Sequence, residues 1–181
     1  MTPSSPAVVV DAEPGELLSV EPGVLPDGMA GEAWRIEYAS EAPDGSVVPV
    51  SGMVFRPEGT APEGGFPVVA WAHVTVGVAD ACTPSSAADG AFSGLDRVLA
   101  LGAVVVATDY PGLGTPGPHP YLVGASEGAA VLDSVRAARR LPGADAATDG
   151  PVGLAGYSQG GHAVLFARAM APVHAPDVEV A

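Results

Sequence analysis

Apolar and polar residues alternate over residues 34–40 (Trp34-Arg35-Ile36-Glu37-Tyr38-Ala39-Ser40) and again over residues 47–55, with Asp44-Gly45 between them as a turn signal. The two runs predict an antiparallel hairpin. Residues 2–33 are rich in Pro, Gly and acid and show little periodicity, so they predict an arm laid over a surface, without a helix. After the punctuation of Gly64-Gly65-Phe66-Pro67 comes the apolar run Val68-Val69-Ala70-Trp71-Ala72, which predicts a strand covered on both faces. Leu95, Val98 and Leu99 then have helical spacing over residues 94–101, residues 103–108 form a second all-apolar strand, and residues 126–141 predict an amphipathic helix. A third such strand is predicted over 151–155 and a helix over 159–170, ended by Pro172 and Pro176, before residues 178–181 open another strand. Strands alternating with helices after an antiparallel start predict an α/β fold, a mostly parallel sheet with an N-terminal hairpin on its edge. Residues 34–181 read as one domain preceded by the arm of residues 1–33, with no internal repeat or low-complexity linker.

Composition narrows the partners. The 181 residues are 48% hydrophobic and 15% charged, enough to bury one core and unlike a disordered tail. The net charge is −14 and all seven basic residues are Arg, so nucleic acid is not an expected partner. The longest apolar stretch, residues 98–107, is interrupted by Gly102 and is half of the ~20 residues a bilayer-spanning helix needs. The start, Met1-Thr2-Pro3-Ser4-Ser5-Pro6, has neither the basic residues nor the apolar run of a secretion signal. Cys82 is the single cysteine and reads as a small buried hydrophobe, the alternative being a partner thiol outside this sequence.

The chemistry concentrates at Gly156-Tyr157-Ser158-Gln159-Gly160, a Gly-x-Ser-x-Gly motif between a buried strand and a helix. Such a turn strains the serine and thrusts its hydroxyl above the sheet, and it demands small residues two positions before and after the serine. Ser158 is therefore the candidate nucleophile for acyl transfer, and the Gln159 backbone N–H at the helix start is a candidate oxyanion donor, aided by the helix dipole. The loop His73-Val74-Thr75-Val76-Gly77 follows an earlier strand, where a second oxyanion donor belongs, and Thr75 is the candidate.

The chain resembles the secretory lipase (lipase A-like) family of α/β hydrolases. The likeness is carried by Pro14-Gly15-Glu16-Leu17-Leu18, by Val68 to His73, by Val78-Ala79-Asp80-Ala81-Cys82-Thr83-Pro84-Ser85, by the run from Ala107 to Tyr121, and by Gly156 to Ala163. The resemblance implies a partial α/β-hydrolase fold with helices on both faces of the sheet. It also implies a secreted, extracellular carboxylic ester hydrolase, without cofactor or metal, acting on a small-molecule or lipid ester. Ser158 would be its nucleophile, with oxyanion donors at Gln159 and Thr75. In some members a disulfide partner for Cys82 lies further along. Bacterial members usually write the first loop as His-Gly-Thr-Thr-Gly. Here Val74 and Val76 replace the Gly and the second Thr, and β-branched residues resist the positive φ that Gly allows, so a changed loop course is expected. In this fold the triad runs Ser, then Asp or Glu, then His, yet Asp177 and Glu179 are followed by no histidine. The chain is thus expected to be the N-terminal part of a longer enzyme and inactive alone. Acyl transfer, or a catalytically dead remnant that binds an acyl ligand or partner, is the alternative.

The histidines present are expected to be structural: His162 on the helix below the elbow, His73 anchoring a loop, His119 shaping a turn between two prolines, and His174 solvated. Asp109 reads as a turn-capping carboxylate. Gly112-Leu113-Gly114-Thr115-Pro116-Gly117 spells a dinucleotide-type motif, but Pro116, Pro118 and Pro120 postpone any helix to about residue 126, so it reads as a rigid loop at the rim of the site.

Overall fold

A computed structural model describes residues 6–86, 92 and 94–181. Its single sheet contains β1 (Leu17–Pro22), β2 (Gly31–Glu41), β3 (Val47–Pro57), β4 (Val68–Ala72), β5 (Val104–Thr108) and β6 (Gly153–Gly156), in the spatial order β1-β2-β3-β5-β4-β6. β1, β2, β3 and β5 pair antiparallel in that order, and β4 pairs parallel with both β5 and β6. The predicted hairpin is β2–β3, closed by Ser46, whose N–H and hydroxyl both donate to the Asp44 carboxylate. The helices are α1 (Leu95–Ala100), α2 (Gly124–Arg140) and α3 (Gln159–His174).

Side-chain alternation along the strands divides the core. Val104, Val106, Ala70 and Ala72 face α2 and α3, together with Ile36, Tyr38 and Val54. Val105 and Ala107 face the other way, toward α1, with Met53, Phe55, Leu95 and Leu99. Helices therefore cover both faces, and the crossover rule explains the assignment. The β4–α1–β5 connection moves toward β3, whereas β5–α2–β6 moves the opposite way past β4; with both crossovers right-handed, their helices fall on opposite faces. The chain thus leaves β4 for one face and β6 for the other, which opens a crevice at the C-terminal ends of these two neighbouring strands.

The structure departs from the pattern reading in five places, one of them residues 178–181, where the expected strand is reduced to a single bridge between Val180 and Val152. The N-terminal segment carries β1, and β2 begins at Gly31; β1 has almost all its side chains exposed, so no apolar alternation marks it, and main-chain pairing is what chiefly holds it to β2. Glycine is required at residue 31, where a Cβ would lie 2.1 Å from the Arg56 carbonyl oxygen. α2 is buried on nearly every side, between the sheet and α3, where an amphipathic helix was expected. α3 continues through Pro172 to His174, because the missing proline N–H costs one bond in the last turn while His174 ties that turn to Asp133 of α2. His174 is accordingly not solvated: its Nε2 lies 3.0 and 3.1 Å from the two Asp133 oxygens.

The hydrogen bond to Asp133 raises the His174 pKa above its ordinary value, against the opposing effect of burial. Its stabilising contribution is therefore complete below the unfolded value, about pH 6.5, and is lost as pH rises through the higher folded value. His119 has the opposite sign, since burial lowers its pKa, so the variant rather than the raw profile is diagnostic. Wild type is expected to exceed His174→Asn in Tm at pH 5.5 by a margin that shrinks by pH 8.5; a margin constant with pH would contradict this assignment.

Candidate active site

β6 ends at Gly156 and α3 begins at Gln159, leaving Tyr157 and Ser158 to make the whole reversal. Ser158 takes φ 55°, ψ −117°, a conformation L-residues rarely adopt, and stands exposed at the mouth of the β4–β6 crevice. The turn is tight enough to specify its neighbours. A Cβ at Gly156 would sit 2.3 Å from the Gly160 carbonyl oxygen, and one at Gly160 would sit 1.9 Å from that of Ala72. The strain at Ser158 makes a prediction: Ser158→Gly is expected to be more stable than Ser158→Ala by about 1 kcal/mol in urea unfolding, because only glycine relieves the positive φ. Equal stabilities would mean that the turn stores no strain at this residue.

Ser158 Oγ makes no hydrogen bond among the described residues, and neither does the Gln159 backbone N–H, which as the first N–H of α3 has no helical acceptor. Because Ala72 and Gly156 are register partners, the loop after β4 emerges beside the elbow. Thr75 lies exposed in that loop, its Oγ1 3.0 Å from the Tyr121 hydroxyl. Val74 and Val76 keep negative φ, and the left-handed conformation falls on Gly77 at φ 123°, so the loop turns one residue after the valines. Cys82 is half-buried and free, with its Sγ against Gly77.

Among the described residues, no histidine ring is bonded to the Ser158 hydroxyl. His73 is buried with Nδ1 2.6 Å from the Val74 carbonyl oxygen and Nε2 3.2 Å from that of Asp109. His119 donates from Nδ1 to the Pro111 carbonyl at 2.9 Å, which leaves Nε2 to accept from Gln159 Nε2 at 3.0 Å. The ring of His162 bonds Glu127 Oε2 at 2.9 Å, although its backbone N–H reaches the Ser158 carbonyl. Asp109 caps a distant turn, accepting from Ser85 N at 3.0 Å and from Ser51 Oγ at 2.6 Å; burial raises its pKa.

The glycine–proline loop divides in two. Pro111, Gly112, Pro116, Gly117 and Pro118 line an apolar groove of about 260 Å³ against the β2–β3 turn, while His119 and Tyr121 reach Gln159 and Thr75. No helix opens at its glycines; α2 starts only at Gly124. Among the described residues no three of His, Cys, Asp and Glu converge in a way that could hold a metal ion, and no helix is long and apolar enough to cross a membrane.

The residue that sequence reasoning missed is Glu127. It is wholly buried on α2, where Oε1 accepts from Gln159 Nε2 at 2.7 Å and from Leu122 N at 3.0 Å, and Oε2 faces His162. The signal available was a lone acid in the small and apolar run Gly124-Ala125-Ser126-Glu127-Gly128-Ala129-Ala130-Val131-Leu132.

Residues 83–181 match the family model described as Secretory lipase. Over 82 residues the chain is 33% identical to Lipase A of Moesziomyces aphidis, an overlap of 45% of this chain and 16% of that protein. Candida antarctica lipase A in its closed state superposes with a TM-score of 0.79 at 22% identity, covering 98% of this chain and 43% of that one, a likeness of fold. The rice cell wall degrading esterase LipA from Xanthomonas oryzae superposes with a TM-score of 0.75 at 27% identity, covering 92% of this chain and 48% of that one. The chain spans less than half the length of each of these relatives. The family match takes in residues 83–181, more than half of the chain, and the chain belongs to the secretory lipase family.

Proposed function

We propose that this chain carries the nucleophile and oxyanion elements of a secreted carboxylic ester hydrolase, a lipase or esterase. The observation supporting it most is the Ser158 hydroxyl, without a partner among the described residues and exposed on a positive-φ turn at the end of β6. In this reading Ser158 Oγ forms a bond to the ester carbonyl carbon while its proton passes to a base. The alcohol then leaves with a proton, and water releases the acid from the acyl-enzyme. Negative charge on the carbonyl oxygen is met by the Gln159 N–H and by Thr75. The four histidines here are turned to other partners, so the base is proposed to be a histidine outside residues 1–181, oriented by an acid also outside them. A fluorophosphonate is expected to label Ser158 in the native protein that carries this chain, read by intact mass and peptide mapping. Labelling of a different serine would end the assignment.

A further inference from the structure

The carboxylate of Glu127 joins the two halves of the site just described. One oxygen, Oε1, takes both the Gln159 side chain at 2.7 Å and the Leu122 N–H at 3.0 Å, and Oε2 takes His162 at 2.9 Å from the first turn of α3. Gln159 supplies the N–H on the elbow side. Leu122 follows Tyr121, whose hydroxyl meets Thr75 on the other side. Leu122 holds a left-handed φ of 58°, which costs a bulky residue energy, and its N–H has Glu127 as its partner. A buried carboxylate is itself costly unless fully bonded, and here each of its oxygens has a donor. Three donors drawn from two separate segments onto one rigid, planar group on the most enclosed helix therefore amount to a fixed reference between them. The neighbouring Gly128 brings α3 against that helix so closely that a Cβ there would be 2.8 Å from Ala167 N.

We propose that Glu127 is a positioning residue that sets the spacing between the Gln159 N–H and the Thr75 loop through Oε1, and so tunes stabilisation of the oxyanion without touching substrate. The proposal rests on reading Ser158 as nucleophile and Gln159 and Thr75 as oxyanion donors. If it holds, removing the acceptor lowers kcat and leaves KM almost unchanged, because the donors meet the oxygen fully only when it carries charge. Glu127→Gln keeps an Oε1 acceptor for both donors, and His162 can present its other tautomer to the new amide, so this variant restores function.

The test uses the native protein that carries this chain, with p-nitrophenyl butyrate as substrate and rates normalised to serines titrated by a fluorophosphonate. Glu127→Met is expected to lower kcat per titrated serine about 10²-fold, the scale of a lost oxyanion donor, with KM within about threefold. Glu127→Gln is expected to recover kcat to within about fivefold of wild type. Asp133→Met removes the other buried carboxylate of α2, bonded to Ser40 and His174; it is expected to lower Tm without lowering kcat per titrated serine. Should Glu127→Met not fold, Gln159→Met cuts the same tether from the other end, keeps the backbone N–H, and is expected to lower kcat at least tenfold. Wild-type kcat per titrated serine in Glu127→Met, or in Gln159→Met where the former does not fold, overturns the proposal. So does a Glu127→Gln variant as slow as Glu127→Met. Failure of the underlying reading looks different: the phosphonate then titrates a serine other than Ser158 in every variant, wild type included.

Discussion

Ser158→Ala, in the native protein that carries this chain, is expected to reduce kcat on a short activated ester by about 10⁶ and to abolish phosphonate labelling. The magnitude follows from the non-additivity of a nucleophile and its base: with the hydroxyl gone, the remaining machinery contributes only the ~10³ over water that binding and oxyanion stabilisation supply. The geometry makes the variant a clean one. The Ser158 hydroxyl has no partner among the described residues, so its removal breaks no hydrogen bond seen there, and alanine keeps the positive φ that serine already tolerates. Loss of turnover with unchanged Tm would therefore report chemistry rather than folding. Turnover within tenfold of wild type would remove Ser158 from the mechanism.

Gly160→Ala is expected to cost about 3 kcal/mol or more in folding stability, while Gly161→Ala, one residue on, is expected to be neutral or stabilising by up to about 1 kcal/mol. The contrast comes from what a methyl group would meet. At residue 160 it would lie 1.9 Å from the Ala72 carbonyl oxygen and 3.0 Å from that of His73, both main-chain atoms of the β4 end that cannot swing aside. At residue 161 its nearest neighbour is the Gly156 oxygen at 3.7 Å, an ordinary contact, and the helix gains from alanine. Gly160→Ala must therefore push α3 off β4, which also separates the Gln159 N–H from the loop that holds Thr75. Urea unfolding of the three proteins decides it, and similar midpoints for all of them would show that the elbow is looser than its geometry implies.

Short-range patterns carried most of the architecture. Alternation marked β2 and β3, short runs rich in apolar residues marked β4 and β5, and the punctuated spacing of Gly156, Ser158 and Gly160 identified the turn, because each is a relation between residues a few positions apart. The same locality explains what was hidden. β1 has scarcely a side chain in the core, so nothing in its composition distinguishes it from an arm; only its pairing with β2 makes it a strand. α2 looks like a surface helix until α3 is laid over it, and only then do Glu127 and Asp133 lose solvent and acquire partners 32 and 41 residues away in the chain. His174, expected in water, is drawn in by the same packing, and the helix passes Pro172 to deliver it. The sequence by itself determined β2 to β6, the strained serine and the glycines beside it, since those follow from relations between neighbouring residues. Which buried acid serves which loop was decided by the tertiary structure alone, because burial makes a carboxylate seek donors wherever the fold brings them.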